Sequence, residues 1–133
     1  MGTAEIRSKP LGCVVVLTPW NFPVHIPVSA LGDVLGAGNR AVLKPSEVTP
    51  RAAALMAELF KSSWLGTEGV VEVCCGGPEV ANALASSPYA DHVLFVGSGE
   101  IGRKVLAAAA PNLTKCTLEL GGGTRCSCVP MWT

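Results

Sequence analysis

The stretch from His92 to Gly121, HVLFVGSGEIGRKVLAAAAPNLTKCTLELG, constrains the fold more than any other. It reads as an apolar strand, a glycine loop, a helix and a second strand. Gly97, Gly99 and Gly102 fall in the G-x-G-x-x-G spacing after a strand and at the start of a helix, the setting a dinucleotide-binding motif requires. A helix start there offers unpaired backbone N–H groups and the positive end of the helix dipole, both suited to a pyrophosphate. Glycines let such a ligand approach the backbone. Glu100, in the first helical turn, complements the dipole of an empty site but repels a phosphate placed beside it. A plain strand-to-helix turn satisfies the same spacing, so the remainder of the chain has to decide between the two.

That remainder repeats the pattern. Residues 13–18, CVVVLT, form an apolar run expected of a strand covered on both faces, and it breaks at the stiff loop PWNFP, Pro19 to Pro23. A helix is predicted from about Val24 or Pro27, with Leu31, Val34 and Leu35 on one face and Gly38-Asn39 as its stop. Residues 40–43, RAVL, make a short strand before the turn Lys44-Pro45-Ser46-Glu47. Thr49 then caps a helix with Pro50 at its first position, and Ala52, Leu55, Met56, Leu59 and Phe60 recur as one buried stripe. Residues 70–75, VVEVCC, read as a third strand. Gly76-Gly77-Pro78 opens a helix that stops near Ser87-Pro88. A fourth strand over 92–96, a helix from Glu100 to about Ala110 and a fifth strand over 116–120 complete the series. In the fifth strand Cys116, Leu118 and Leu120 share one face, and Thr117 and Glu119 the other.

Strands alternating with helices predict an α/β, Rossmann-like, doubly wound parallel sheet of about five strands, with helices on both faces. Residues 1–12 are a lead-in, 13–122 the dinucleotide-binding domain, and 123–133 a divergent irregular tail. Ligands bind such sheets at the carboxyl ends of the strands, where the loops at 19–23, 44–47, 76–77, 97–102 and 119–121 all fall.

Composition narrows the setting. Of 133 residues, 49% are apolar and only 15% charged, so part of the surface is expected to be covered by something else. No uninterrupted apolar run reaches membrane-spanning length, and MGTAEIRSKP holds no signal-like apolar region. A net charge of zero gives no electrostatic case for nucleic acid. The six cysteines lack a C-x-x-C spacing and have only His25 and His92 as companions, which argues against a metal site. Buried thiols in a reducing compartment, the cytoplasm, are the expectation.

Four segments, PWNFP at 19–23, GNRAVLKPSE at 38–47, FVGSGEIG at 95–102 and LELGG at 118–122, resemble the aldehyde dehydrogenase superfamily, in that order along the chain. Within it, PWNFPVH, CGGPE and AAAAPNLTKCTLELGG are most similar to the coniferyl-aldehyde and fatty-aldehyde branch. The resemblance implies oxidation of an aldehyde to a carboxylic acid with NAD or NADP, in full-length members that are homo-oligomers. In that family a cysteine thiolate adds to the aldehyde, hydride leaves for the nicotinamide, and water cleaves the thioester.

Carried onto this chain, the resemblance makes Asn21 the donor to the developing oxyanion, a role whose loss costs roughly 3 kcal/mol. By itself, an amide between two prolines equally well ties down its own loop. Pro19, Trp20, Lys44, Ser46, Glu47, Gly77, Gly97, Ser98, Ile101, Leu120 and Gly121 match cofactor-binding positions, with Lys44 and Glu47 at the adenosine ribose. Lysine suits a 2'-phosphate and glutamate repels it, which leaves NAD against NADP open. Val96 and Gly99 stand where the family commonly has threonines, so two hydroxyls are missing from the phosphate loop. Counting about twenty residues from the glycines makes Glu119 a ribose-binding acid. The resemblance instead makes it the general base for thioester hydrolysis. We follow the resemblance, because Glu119 ends its strand beside Gly121-Gly122; a base there has to reach its water, and burial has to raise its pKa.

The match breaks after Gly122. Gly123 replaces the family's lysine, and no motif for the catalytic cysteine follows before Thr133; Cys126 and Cys128 lack its flanking residues. The resemblance also implies that the segment preceding this region in full-length members is expected to be absent here. The expectation is a truncated product or gene model, with a frameshift near codon 123 as one version of it, that does not turn over aldehyde alone and binds NAD weakly at best. A non-catalytic dinucleotide-binding module is the alternative.

Overall fold

A computed structural model describes residues 3–121. Five strands, β1 (Cys13–Leu17), β2 (Arg40–Lys44), β3 (Val71–Val73), β4 (His92–Ser98) and β5 (Lys115–Gly121), form one sheet in the order β3-β2-β1-β4-β5. Every neighbouring pair is parallel. The connections carry α1 (His25–Gly36), α2 (Pro50–Ser62), the single turn α3 (Trp64–Thr67), α4 (Pro78–Ala85) and α5 (Gly99–Ala109). The chain steps outward from β1 to β3, then returns to the other side of β1 for β4 and β5. That reversal lies between β1 and β4, the switch point at which a doubly wound sheet opens a crevice. The predicted α/β, Rossmann-like fold is therefore the one observed.

β1 is the central strand, and Val14, Val15, Val16 and Leu17 are all buried, as a strand covered on both faces requires. Its alternation divides the core in two. Val14 and Val16 pack with Leu43 and Val71 against Leu31 and Val34 of α1 and Met56 of α2. Val15 and Leu17 pack with Val93 and Phe95 against Ala85 of α4 and Val105 of α5.

Two side chains that sequence reading passed over tie the N-terminal edge of the sheet together. Asn39 is buried; its Oδ1 accepts from the backbone N–H groups of Leu11 (2.6 Å) and Gly12 (3.0 Å), and its Nδ2 donates to the Val34 carbonyl (3.0 Å). Asp91 Oδ2 accepts from the Cys13 N–H at 2.8 Å. Gly12 has φ +125°, and a Cβ there would overlap the Asp91 carboxylate, so this position requires glycine.

Several expectations need correction. In α2 the buried residues are Ala53 and Met56, while Leu55 and Leu59 are 66% and 63% exposed. The strand that α2 chiefly packs on is the short edge strand β3, which has room for one narrow stripe. Thr49 occupies the N-cap but its side chain caps nothing; its hydroxyl instead donates to the Ser46 carbonyl at 3.5 Å. The third strand stops at Val73, leaving Cys74 and Cys75 in the following loop. The glycine segment is scarcely a loop, since β4 runs through Ser98 and α5 starts at Gly99. Gly122 and the tail 123–133, with Cys126 and Cys128, lie outside the described residues, as do Met1 and Gly2 of the lead-in. Among the described residues no helix is long and apolar enough to cross a membrane.

Candidate functional site

The carboxyl ends of β1, β2 and β4 open onto a groove of about 520 Å³ that continues between α4 and α5. Leu17 to Trp20 form one wall at the end of β1, and Lys44, Ser46 and Glu47 extend it at the end of β2. Phe95 to Ser98 and Ile101 form the other, while Ala81, Ala85, Val105 and Ala108 line the cleft between the helices. Small side chains on both helices leave that cleft wide.

Each polar member is held by local structure. Ser98 is the N-cap of α5, its Oγ accepting from the Ile101 N–H at 3.3 Å, which aims the positive end of the helix at the groove. Glu100, the carboxylate that threatened an anion there, pairs with Lys104 one turn along at 3.0 Å. Gly97 is required by packing, because a Cβ would come within 2.5 Å of the Phe95 ring. Gly102 lets α5 approach β5, where an added Cβ would meet Leu120 Cδ2 at 2.9 Å. Lys44 is the most unusual residue. Only 5% exposed, it sends its ammonium to Glu47 Oε2 at 2.7 Å. That hydrogen bond is the main reason the Glu47 carboxyl is held below its ordinary value. Beside them the Thr18 hydroxyl is buried with no partner among the described residues.

Of the predicted cofactor positions, Pro19, Trp20, Lys44, Ser46, Glu47, Gly97, Ser98 and Ile101 line this groove. Gly77 is next to it as the N-cap of α4, before the lining residue Pro78. Leu120 is set back against Gly102, and Gly121 is an exposed strand end in register with Ser98. Asn21 is exposed in the loop after β1, and no hydrogen bond ties its amide to that loop among the described residues.

Glu119 does not join this groove. It faces a second one, of about 350 Å³, on the α1 side of the sheet, with His25, Ile26, Ser29, Leu94 and Thr117. The strand alternation that sets Glu119 opposite Leu118 sends it there, so the expected convergence of all site residues on one rim becomes two grooves back to back. Val96, at the end of β4, lines both. Glu119 is also exposed, without the burial that the general-base reading called for. Sequence reading missed His25 and Ser29, whose only signal was position on the first turns of α1. It also missed Asn82 and Lys104, which face the first groove from α4 and α5.

The described cysteines are free thiols. Burial pushes Cys13, Cys74 and Cys116 above the ordinary thiol value, the reverse of what an activated nucleophile needs.

Comparison with known proteins gives a consistent picture. Residues 2–128 match the model of the aldehyde dehydrogenase family. A coniferyl aldehyde dehydrogenase from a Pseudomonas species is 43% identical over 119 residues, which is 90% of this chain and 24% of that protein. Among solved structures, Staphylococcus aureus AldH in its substrate-bound state superposes with a TM-score of 0.80 at 37% identity, over 86% of this chain and 24% of that one. A Mycobacterium tuberculosis aldehyde dehydrogenase complexed with NAD+ has a TM-score of 0.76 at 43% identity, over 85% and 23%. The chain thus spans about a quarter of the length of the relatives it matches.

Proposed function

Because the chain belongs to the aldehyde dehydrogenase family, we propose that it carries the dinucleotide-binding part of an NAD(P)-dependent aldehyde oxidation site, within a domain spanning residues 13–122. The observation that supports this best is the groove at the β1–β4 switch point, with Ser98 capping a helix aimed into it and Lys44 buried beside Glu47 at one wall. These residues fit a dinucleotide. Lys44 and Glu47 offer a donor and an acceptor to ribose hydroxyls, the start of α5 suits a pyrophosphate, and the alanine-lined cleft accepts a flat base. Pro19 and Trp20 close the groove on the β1 side, Ser46, Gly97 and Ile101 complete its walls, and Gly77, Leu120 and Gly121 support it from adjoining turns. When bound, the cofactor supplies the hydride acceptor.

Two further residues are assigned to the aldehyde, Asn21 in the loop after β1 and Glu119 in the second groove. Asn21, free of its own loop, donates its amide to the oxygen that gains charge. Glu119 is assigned as the base that activates water, with the burial this role calls for to be supplied by further protein over its groove. Burial leaves Cys13, Cys74 and Cys116 poor nucleophiles, and the reading for this polypeptide is cofactor binding without turnover. Free thiols fit a reducing, cytoplasmic setting. Exposed Leu55, Leu59 and Trp64 suit cover by further protein, another copy included.

The test is calorimetric titration of the 133-residue chain with NAD and NADP, beside Lys44→Met. Saturable binding that falls roughly 10- to 100-fold in the variant is expected, the worth of one charge-assisted hydrogen bond. Binding unchanged by Lys44→Met defeats the assignment of the groove.

A further inference from the structure

The two edges of the sheet are built differently. At one end β3 is only three residues long, one of the ways a protein blunts an exposed edge. At the other, β5 runs for seven residues without a proline, in unbroken register with β4 from Lys115 to Gly121. Among the described residues no backbone hydrogen bond joins β5 to anything beyond β4. Its outer row of N–H and C=O groups is therefore a template for another strand. The Thr117 hydroxyl is engaged inward, sharing a 2.9 Å hydrogen bond with His92 Nε2 of β4. Lys115 and Glu119 are exposed on the same face as Thr117. Four residues apart on one strand, they stand about 13 Å from each other, too far to pair, and the ion pairs of the described residues are made by other groups.

We infer that this edge pairs with the β5 edge of a second copy of the chain, antiparallel and centred on Thr117. The charges select that partner and that register. With Thr117 opposite Thr117 of the second copy, Lys115 falls opposite Glu119 and Glu119 opposite Lys115, with Cβ atoms about 5 Å apart across the seam. No other antiparallel register sets both charges against opposite ones. Centring on Lys115 or on Glu119 brings like charges face to face, and a parallel in-register pair does so twice. On the other face of the strand Cys116 meets Leu118, two side chains already half-buried against the core under α4 and α5, so the apolar layer continues across the seam. The joined sheet ends on a short β3 at both sides, and the assembly closes as a two-fold dimer. The pairing also brings a lysine of the second copy to Glu119 at the second groove, whose lining has no lysine or arginine of its own. A seam of this length lies at the lower end of stable interfaces, so association on the order of 10 to 100 µM is expected.

Sedimentation velocity of the 133-residue chain, from roughly 5 to 500 µM, is expected to show a reversible equilibrium between monomer and dimer. Lys115→Glu and Glu119→Lys each set like charges opposite one another at both pairs, and each is expected to weaken the dimer at least about tenfold. The two variants mixed in equal amounts regain opposite charges at both pairs, as does the double variant Lys115→Glu with Glu119→Lys. Both preparations are expected to recover the dimer, which also shows that the single variants fold. Amide hydrogen exchange read by NMR is expected to slow in β5 as concentration rises and to stay constant in β3. A chain that stays monomeric at about 500 µM overturns the inference. So does association that the single charge reversals leave unchanged, or that the mixture fails to recover. Equal protection of the β5 amides in monomer and dimer overturns it too, since the edge is then covered within one copy. NAD titration fails or succeeds separately, because the seam makes no use of the cofactor assignment.

Discussion

Replacing Glu47 with alanine is expected to cost more stability than replacing Lys44 with methionine, although the two side chains share one ion pair. The reason is unequal burial. The Lys44 side chain is 6% exposed and that of Glu47 is 46% exposed, with 2.7 Å between Nζ and Oε2. Glu47→Ala leaves a buried ammonium without its carboxylate. Stranding a charge in a fully buried pair costs roughly 3–5 kcal/mol, and the half-open side of this pair admits enough water to bring the loss to about 2–3 kcal/mol. Lys44→Met keeps most of the apolar stem, removes the charge that was costly to bury, and returns Glu47 to water, so the change stays within about 1 kcal/mol. Urea denaturation followed by circular dichroism reads both as midpoint shifts at constant slope. Acid provides an internal check. Lys44 holds the Glu47 carboxyl below its ordinary 4.5, so the stability this group contributes is complete above that value and is lost as pH falls through its depressed folded value. The gap between the unmodified chain and Glu47→Ala is therefore expected to narrow in that acid window. A Lys44→Met chain destabilised as much as Glu47→Ala, or more, refutes the burial argument.

Two further substitutions address parts of the fold that support the site. Asn39→Ala removes the acceptor of two backbone N–H groups and a donor to Val34, and is expected to lower stability by about 2–4 kcal/mol in the same urea assay. Thr18→Val replaces a buried hydroxyl that has no partner among the described residues with a methyl of similar shape. A gain of about 1 kcal/mol, read as a rise in thermal midpoint, is expected; a loss shows that the hydroxyl is satisfied.

The fold was legible because its signal is local and periodic. A continuous apolar run such as CVVVL, set between helical segments, suits a strand covered on both faces of a parallel sheet, and Pro50 and Pro78 mark helix starts by the donor they lack. The short helix α3 escaped notice because four residues carry no period. Leu55 and Leu59 were misjudged because periodicity finds an apolar stripe but says nothing of how wide a partner awaits it.

The site was legible in its membership more than in its geometry. Lys44, Ser46, Glu47, Gly97 and Ser98 share a groove because parallel strands with crossover helices bring all their carboxyl ends to one edge. That much follows from chain order alone. Which face of the sheet each residue serves depends on strand parity, on which helix covers which face, and on where the strand order reverses. The separation of Glu119 from the first groove and the burial of Lys44 against the openness of Glu47 are decided only there. These depend on atoms distant in sequence, whose positions relative to one another exist only once the core has closed around β1.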